Sequence, residues 1–155
     1  TDRDGRWHRC DIKTTNLLHN VLAKQQAHTE GLQDTWGVTD EGQITEGALS
    51  NAWIVKNGCL YTAPTTSNIL GGVTRMRLIL LAQELGIKVV EEPFSKNALY
   101  GADEAFSSSS NHVVVPVTHV DGQPIGSGAP GPISEKLYVA YMAFVQEGVK
   151  RGRNS

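Results

Sequence analysis

A chain of 155 residues with a formal net charge of −2 is long enough for one domain with its own core. It lacks the basic surface that nucleic acid or an anionic membrane would need. No apolar run approaches the roughly 20 residues that cross a bilayer and no secretory leader is expected, so the sequence reads as a cytoplasmic protein without membrane or nucleic-acid partners.

Cys10 and Cys59 stand far apart with no metal-ligand spacing, so they are read as reduced packing residues and no metal is expected. The chain opens on Thr1 and reads as a fragment or a processed product. Residues 2–5 are polar and turn-forming, not the strand that would hold Thr1 as a nucleophile.

In chain order, residues 6–13 are expected as a strand with a polar approach. Thr14, Thr15 or Asn16 can cap a helix over residues 17–29. Leu18, Val21, Leu22 and Gln25 share one face of it, and Gly31 stops it. A short strand at 35–38 turns through Asp40-Glu41-Gly42 into residues 43–45. A strand at 52–55 meets Asn57-Gly58, a strong hairpin signal, and returns over 59–62. After a loop at 63–68, Gly71-Gly72 leads into a helix ending at Gly86, with Leu78, Leu81, Ala82 and Leu85 as its buried stripe. Residues 87–91 read as a strand, Ser95 as the cap of a short helix to about Tyr100, and 105–110 and 113–120 as strands. Asp121-Gly122 turns the chain, and a Gly/Pro loop over 126–132 precedes a last helix carrying Leu137, Tyr141, Phe144 and Val145. Many short hairpin-linked strands with a few packing helices make the class α+β.

Four features carry chemistry. Lys13 closes the first expected strand, where backbone on both sides would aim its amine, as an amine forming a Schiff base requires. Glu46 stands before Gly47 at the entry to a strand, where a carboxylate could accept the proton of a ring nitrogen. Gly71-Gly72-Val73-Thr74 opens a helix, so free backbone N–H groups and a hydroxyl make an anion site suited to phosphate. The run Ser107 to Ser110 ends a strand with several hydroxyls, a second contact for phosphate or carboxylate. Taken singly, a surface lysine, a solvated glutamate, a plain turn and a strand cap are the commoner explanations. Taken together, an amine, a carboxylate and a phosphate cradle are what pyridoxal 5′-phosphate requires.

At these residues the sequence resembles the class IV, fold-type IV aminotransferases, most closely the D-amino-acid group. The resemblance is carried by Arg9-Cys10-Asp11-Ile12-Lys13 with Asn16-Leu17-Leu18, by residues 21–25, by Thr45-Glu46-Gly47 with Ser50-Asn51, and by residues 69–75. Asp103-Glu104 with Phe106 and the serines, and residues 121–125, match as well.

The resemblance implies the C-terminal, cofactor-carrying domain of that fold, with short, mostly antiparallel, barrel-like strands and packing helices. It implies that Lys13 is the Schiff-base lysine and also moves the substrate proton. Glu46 would face the pyridine nitrogen, Leu70 support the ring, and Val73, Thr74 and Ser110 hold the phosphate. Arg6 matches an arginine near the ring, and Ser108, Ser109 and Asn111 fall on the substrate side.

The expected reaction is transamination between a D-amino acid such as D-alanine and a 2-oxo acid, in a homodimer. The alternatives are a lyase of the same family acting on aminodeoxychorismate, or a pyridoxal-phosphate-binding remnant without catalysis. Ala48-Leu49-Ser50 replaces a serine-rich stretch, Asn111 and His112 replace small hydroxyl residues, and Trp36 replaces a smaller aliphatic. The family's smaller N-terminal domain, with its phosphate arginine and substrate-carboxylate groups, has no counterpart in this sequence.

Overall fold

The computed structural model describes residues 1–15, 17–66 and 68–153. Its first half runs β1 (Asp2–Arg3), α1 (Leu18–Thr29), β2 (Trp36–Val38), β3 (Gln43–Gly47), β4 (Asn51–Lys56), β5 (Cys59–Thr62) and α2 (Val73–Glu84). The second half runs β6 (Val89–Glu91), β7 (Phe94–Ser95), α3 (Lys96–Tyr100), β8 (Glu104–Ser109), β9 (Val113–Pro116), β10 (His119–Val120), β11 (Gln123–Pro124) and α4 (Pro132–Arg153). The α+β class is observed, with a mostly antiparallel sheet in which, among the described residues, only β1 with β2 and β5 with β6 pair in parallel.

β4 is the strand on which the sheet is built. It pairs with β5 along one edge and β8 along the other, and its first residue, Asn51, lies opposite both Glu46 and Ser108. Asn57 and Gly58 take the left-handed φ values of 50° and 73° that a tight hairpin needs. Because side chains alternate across a strand, Ala52 and Ile54 enter one apolar cluster with Trp36, Ile44, Phe94 and Leu99. Trp53 and Val55 enter the other, with Leu78, Leu81, Ala82, Phe106 and Leu137 from α2, β8 and α4. Both faces of β4 are thus covered, which explains its unbroken run of buried residues.

Five expectations change. Asp2 and Arg3, expected in a polar turn, form β1 and pair in parallel with Gly37 and Val38. Residues 6–13 do not form a strand. The backbone N–H of Asp4 reaches Val38 O at 2.9 Å and the ladder ends there. Beyond it, Arg6 turns its side chain inward, and the chain turns locally through Ile12 N–H to Arg9 O at 3.0 Å. The expected strand at 113–120 is two, β9 and β10: Val117 N–H still reaches Ala105 O at 2.8 Å, and beyond it the chain leaves β8 and His119–Val120 pairs with β11 instead. On α1, Leu18, Val21 and Leu22 are exposed, and Ala27 is the buried residue. On α4, Leu137 is buried whereas Phe144 and Val145 are exposed. Periodicity identified residues that share a face, but not whether another element covers it. Asn16, one of the three residues expected to cap α1, lies outside the described residues. No helix of the described residues is long and apolar enough to cross a membrane.

Candidate active site

A cavity of about 500 Å³ opens between residues 6–13, the β3–β4 turn, the start of α2 and the end of β8. Its lining includes Arg6, Lys13, Glu46, Leu70, Val73, Thr74, Ser108, Ser109, Ser110 and Asn111. Residues spread over a hundred positions are therefore brought to one place by strand pairing and one helix start.

Glu46 lies on β3 with its side chain 7% exposed. One carboxylate oxygen accepts from Arg6 Nη1, and the other accepts from Asn51 Nδ2 at 3.0 Å and from Leu70 N–H at 3.2 Å. Burial pushes this carboxyl above the usual carboxylate range, while the Arg6 charge and the Leu70 N–H pull it back. Each hydrogen-bond partner it has among the described residues is a donor, so the ionised form is the one that these contacts favour. Asn51, which also donates to Leu70 O at 2.8 Å, ties the carboxylate to the loop before α2.

Arg6 is held from behind by a residue the sequence reading passed over. Asp4 takes Arg6 Nε at 2.9 Å and Nη2 at 2.7 Å, and also accepts the Thr45 hydroxyl at 2.7 Å. The Asp4-Gly5-Arg6 spacing was the available signal, and it is a weak one. Burial pushes the Asp4 carboxyl up, but the Arg6 fork, the Thr45 hydroxyl and the Arg6 charge outweigh it and hold it down to about 2.

Its folded value is thus below the ordinary 3.8, so the stability it contributes is present above about pH 4 and is lost as pH falls towards 2. Asp4→Asn is expected to lower the unfolding temperature near neutral pH, with the deficit shrinking between about pH 4 and 2. Thermal unfolding of both forms across that range checks this; a deficit independent of pH would contradict it.

The anion site expected from the sequence is the start of α2. Gly72 precedes the helix with no side-chain cap, so the first N–H groups of the helix are left unpaired by any cap. A Cβ on Gly72 would lie 2.5 Å from Asn51 Oδ1; the glycine is needed there for close approach. Arg75, 2% exposed, pins this first turn by donating to Ala63 O at 2.8 Å and Glu91 Oε2 at 2.7 Å. Thr74 is buried, and its hydroxyl has no hydrogen-bond partner among the described residues. A buried hydroxyl left unpaired costs roughly 1–3 kcal/mol, so its presence beside free helix N–H groups marks a place built for an anionic acceptor.

The serine run divides. Ser107 and Ser108 are buried and accept the indole N–H groups of Trp36 at 3.0 Å and Trp53 at 2.8 Å. Trp36 thereby serves as a core residue. Ser109 accepts His112 N–H at 3.3 Å, and Ser110 is exposed at the turn that follows β8. Ser50, the remaining hydroxyl of the altered stretch, is spent on Asp34 at 3.0 Å.

Lys13 is exposed and lines the cavity from a loop, not from a strand end. No hydrogen bond or ion pair engages its Nζ among the described residues. Lys24, Lys56 and Lys96, by contrast, are paired with Asp34, Asp103 and Asp121. Thr1 donates its hydroxyl to Asp121 at 2.7 Å and is no part of this lining.

Comparison with known proteins gives a consistent set of relatives. The family model "Amino-transferase class IV" matches residues 1–120. The chain is 44% identical over 140 residues to the D-alanine aminotransferase of Bacillus licheniformis, covering 90% of this chain and 49% of that one. It is 43% identical over 151 residues to the D-alanine aminotransferase of Listeria monocytogenes, covering 97% and 50%. Among solved structures, the branched-chain amino acid aminotransferase of Thermobaculum terrenum in its PLP form superposes with a TM-score of 0.85 at 34% identity, covering 94% of this chain and 48% of that one. The branched-chain enzyme of Escherichia coli gives 0.80 at 36% identity, covering 92% and 50%. The chain spans about half the length of the curated relatives it matches.

Proposed function

The chain belongs to the class IV aminotransferases, and from that premise we propose that it is the cofactor-carrying part of a pyridoxal-phosphate-dependent enzyme exchanging an amino group between a D-amino acid, such as D-alanine, and a 2-oxo acid. The observation that supports this most is that one cavity is shared by a lysine amine and a threonine hydroxyl at a helix start, both without a hydrogen-bond partner among the described residues, and by a buried carboxylate. The groups that select the substrate carboxylate are assigned to the remainder of such an enzyme.

In this reading the residues present fit the cofactor. Val73 and Thr74 would receive the phosphate through backbone N–H groups, with the Thr74 hydroxyl donating to it and Ser110 as a further contact. Leu70 would support the ring, and Glu46 would accept a hydrogen bond from the ring nitrogen. Ser109 and Asn111 face the substrate side, and the Ser108 hydroxyl retains acceptor capacity beside its bond to Trp53. When bound, pyridoxal phosphate supplies an electron sink for the pair released when the substrate Cα–H bond breaks. Lys13 Nζ would hold the cofactor's aldehyde carbon and then carry the proton between substrate Cα and C4′.

The D-amino-acid assignment rests on the relatives named for D-alanine, which share more sequence with the chain than the branched-chain structures do. Pyruvate formed from D-alanine with 2-oxoglutarate in the full protein that carries this chain tests it. Turnover of L-leucine in place of D-alanine would overturn the substrate class.

Thr74 offers a test with opposite signs. Thr74→Val removes an unpaired buried hydroxyl, so the cofactor-free protein is expected to be as stable or more stable. Pyridoxal phosphate affinity is expected to fall about tenfold or more, the loss of one hydrogen bond to a charged group. Unfolding temperatures with and without the cofactor measure both; equal affinity in the two forms would contradict the role.

A further inference from the structure

Glu46 does not have Arg6 to itself. Asp4 takes the Nε and Nη2 edge of the guanidinium, leaving Nη1 for Glu46 and a second Nη2 hydrogen for Asn68 O at 2.9 Å. The three side chains are 11%, 7% and 7% exposed for Asp4, Arg6 and Glu46. The space for Asp4 is kept open by Gly37, where a Cβ would lie 3.1 Å from the Asp4 carboxylate carbon and oxygen. Thr45, one residue before Glu46, donates to the same carboxylate.

We propose that Asp4 is a positioning residue which, by sharing Arg6 with Glu46, leaves the cluster with one net negative charge and so holds a proton on a ring nitrogen placed against Glu46. The inference rests on the pyridoxal-phosphate reading. Two carboxylates and one guanidinium sum to one negative charge. With Asp4 neutral, Arg6 and Glu46 would cancel, and a protonated ring would meet a neutral pair. In a buried setting an uncompensated charge acts strongly on a neighbouring proton. Asp4 also fixes the plane of the guanidinium, because an arginine fork held on two nitrogens cannot rotate to cover Glu46 fully. The remaining neighbours do not supply a second cation in the described contacts. Cys10 lines the cavity as a thiol whose proton burial and Asp4 help retain, His19 packs against Gly5, and Asn51, Thr45 and Asn68 bring neutral groups.

The test loads the full protein that carries this chain, and its Asp4→Asn and Thr45→Val variants, with pyridoxal phosphate labelled with 15N at the ring nitrogen, and follows that resonance between about pH 6 and 9. The unsubstituted protein is expected to keep the ring protonated throughout. Asp4→Asn is expected to lose the ring proton at least about one pH unit earlier, a tenfold change in proton affinity, and to lower kcat with the amino-acid KM little changed. Thr45→Val removes a hydrogen bond from the same carboxylate without changing its charge, and is expected to keep the proton. If Asp4→Asn does not fold, Asp4→Ser is measured in its place with the same expectation. A ring that stays protonated without the Asp4 charge would overturn the inference and leave the cofactor reading standing. Failure of the unsubstituted full protein to bind the cofactor would overturn both.

Discussion

Lys13→Ala is expected to remove the visible absorbance of lysine-bound pyridoxal phosphate and to lower turnover by about 10³-fold or more, with little change in stability. The last part follows from its setting: Lys13 is exposed, and no hydrogen bond or ion pair holds its Nζ among the described residues. Exposed substitutions of this kind usually change stability by no more than about 0.5 kcal/mol. The catalytic loss has two sources. In the proposed reading the variant would lack both the amine that would hold the cofactor's aldehyde carbon and the base that would move the Cα proton, worth roughly 10²–10⁴ by itself. A small amine added to the variant should restore part of the proton transfer, because the cavity left by the side chain remains. Turnover within tenfold of the unsubstituted protein would remove Lys13 from the mechanism.

Glu46→Gln is expected to retain the cofactor while lowering kcat on the order of a hundredfold. The amide keeps the shape of the carboxylate but withdraws the charge that favours a protonated ring nitrogen. It also turns two N–H donors toward a site where Arg6, Asn51 and Leu70 all donate already. One of those donors must then go unpaired, at a cost of about 1–3 kcal/mol. Losing one partner of a buried pair can cost more, but here Arg6 keeps Asp4. Thermal unfolding and steady-state kinetics on the same sample separate the two effects; unchanged kcat would end the role given to Glu46.

The sequence exposed some of this site and concealed the rest for physical reasons. Asn57-Gly58 and the Ser95 cap are local signals, and both act as read, Ser95 accepting Ala98 N–H at 3.1 Å. The stripe on α2 is legible because Leu78, Leu81 and Ala82 pack on a core made by the same chain. The equally periodic Leu18, Val21 and Leu22 remain exposed, since periodicity does not say what covers a face. Residues 6–13 carry strand-like composition but have no ladder partner, and a strand needs one. Glu46 and Thr74 were identifiable by type and position. Asp4 and Asn51 have no legible role in the sequence, because their importance lies in which hydrogen-bond partners they meet across 2 to 41 residues of chain, and only the fold sets those meetings.

The most direct measurement is reduction of the cofactor-loaded protein with borohydride, followed by peptide mass mapping. A lysine that holds pyridoxal phosphate through a Schiff base becomes permanently labelled by this treatment. The expected result is a phosphopyridoxyl group on Lys13 and on no other lysine, lost on prior treatment with hydroxylamine. A label on another lysine, or no label in a folded and cofactor-saturated sample, would contradict the assignment of this cavity as the cofactor site.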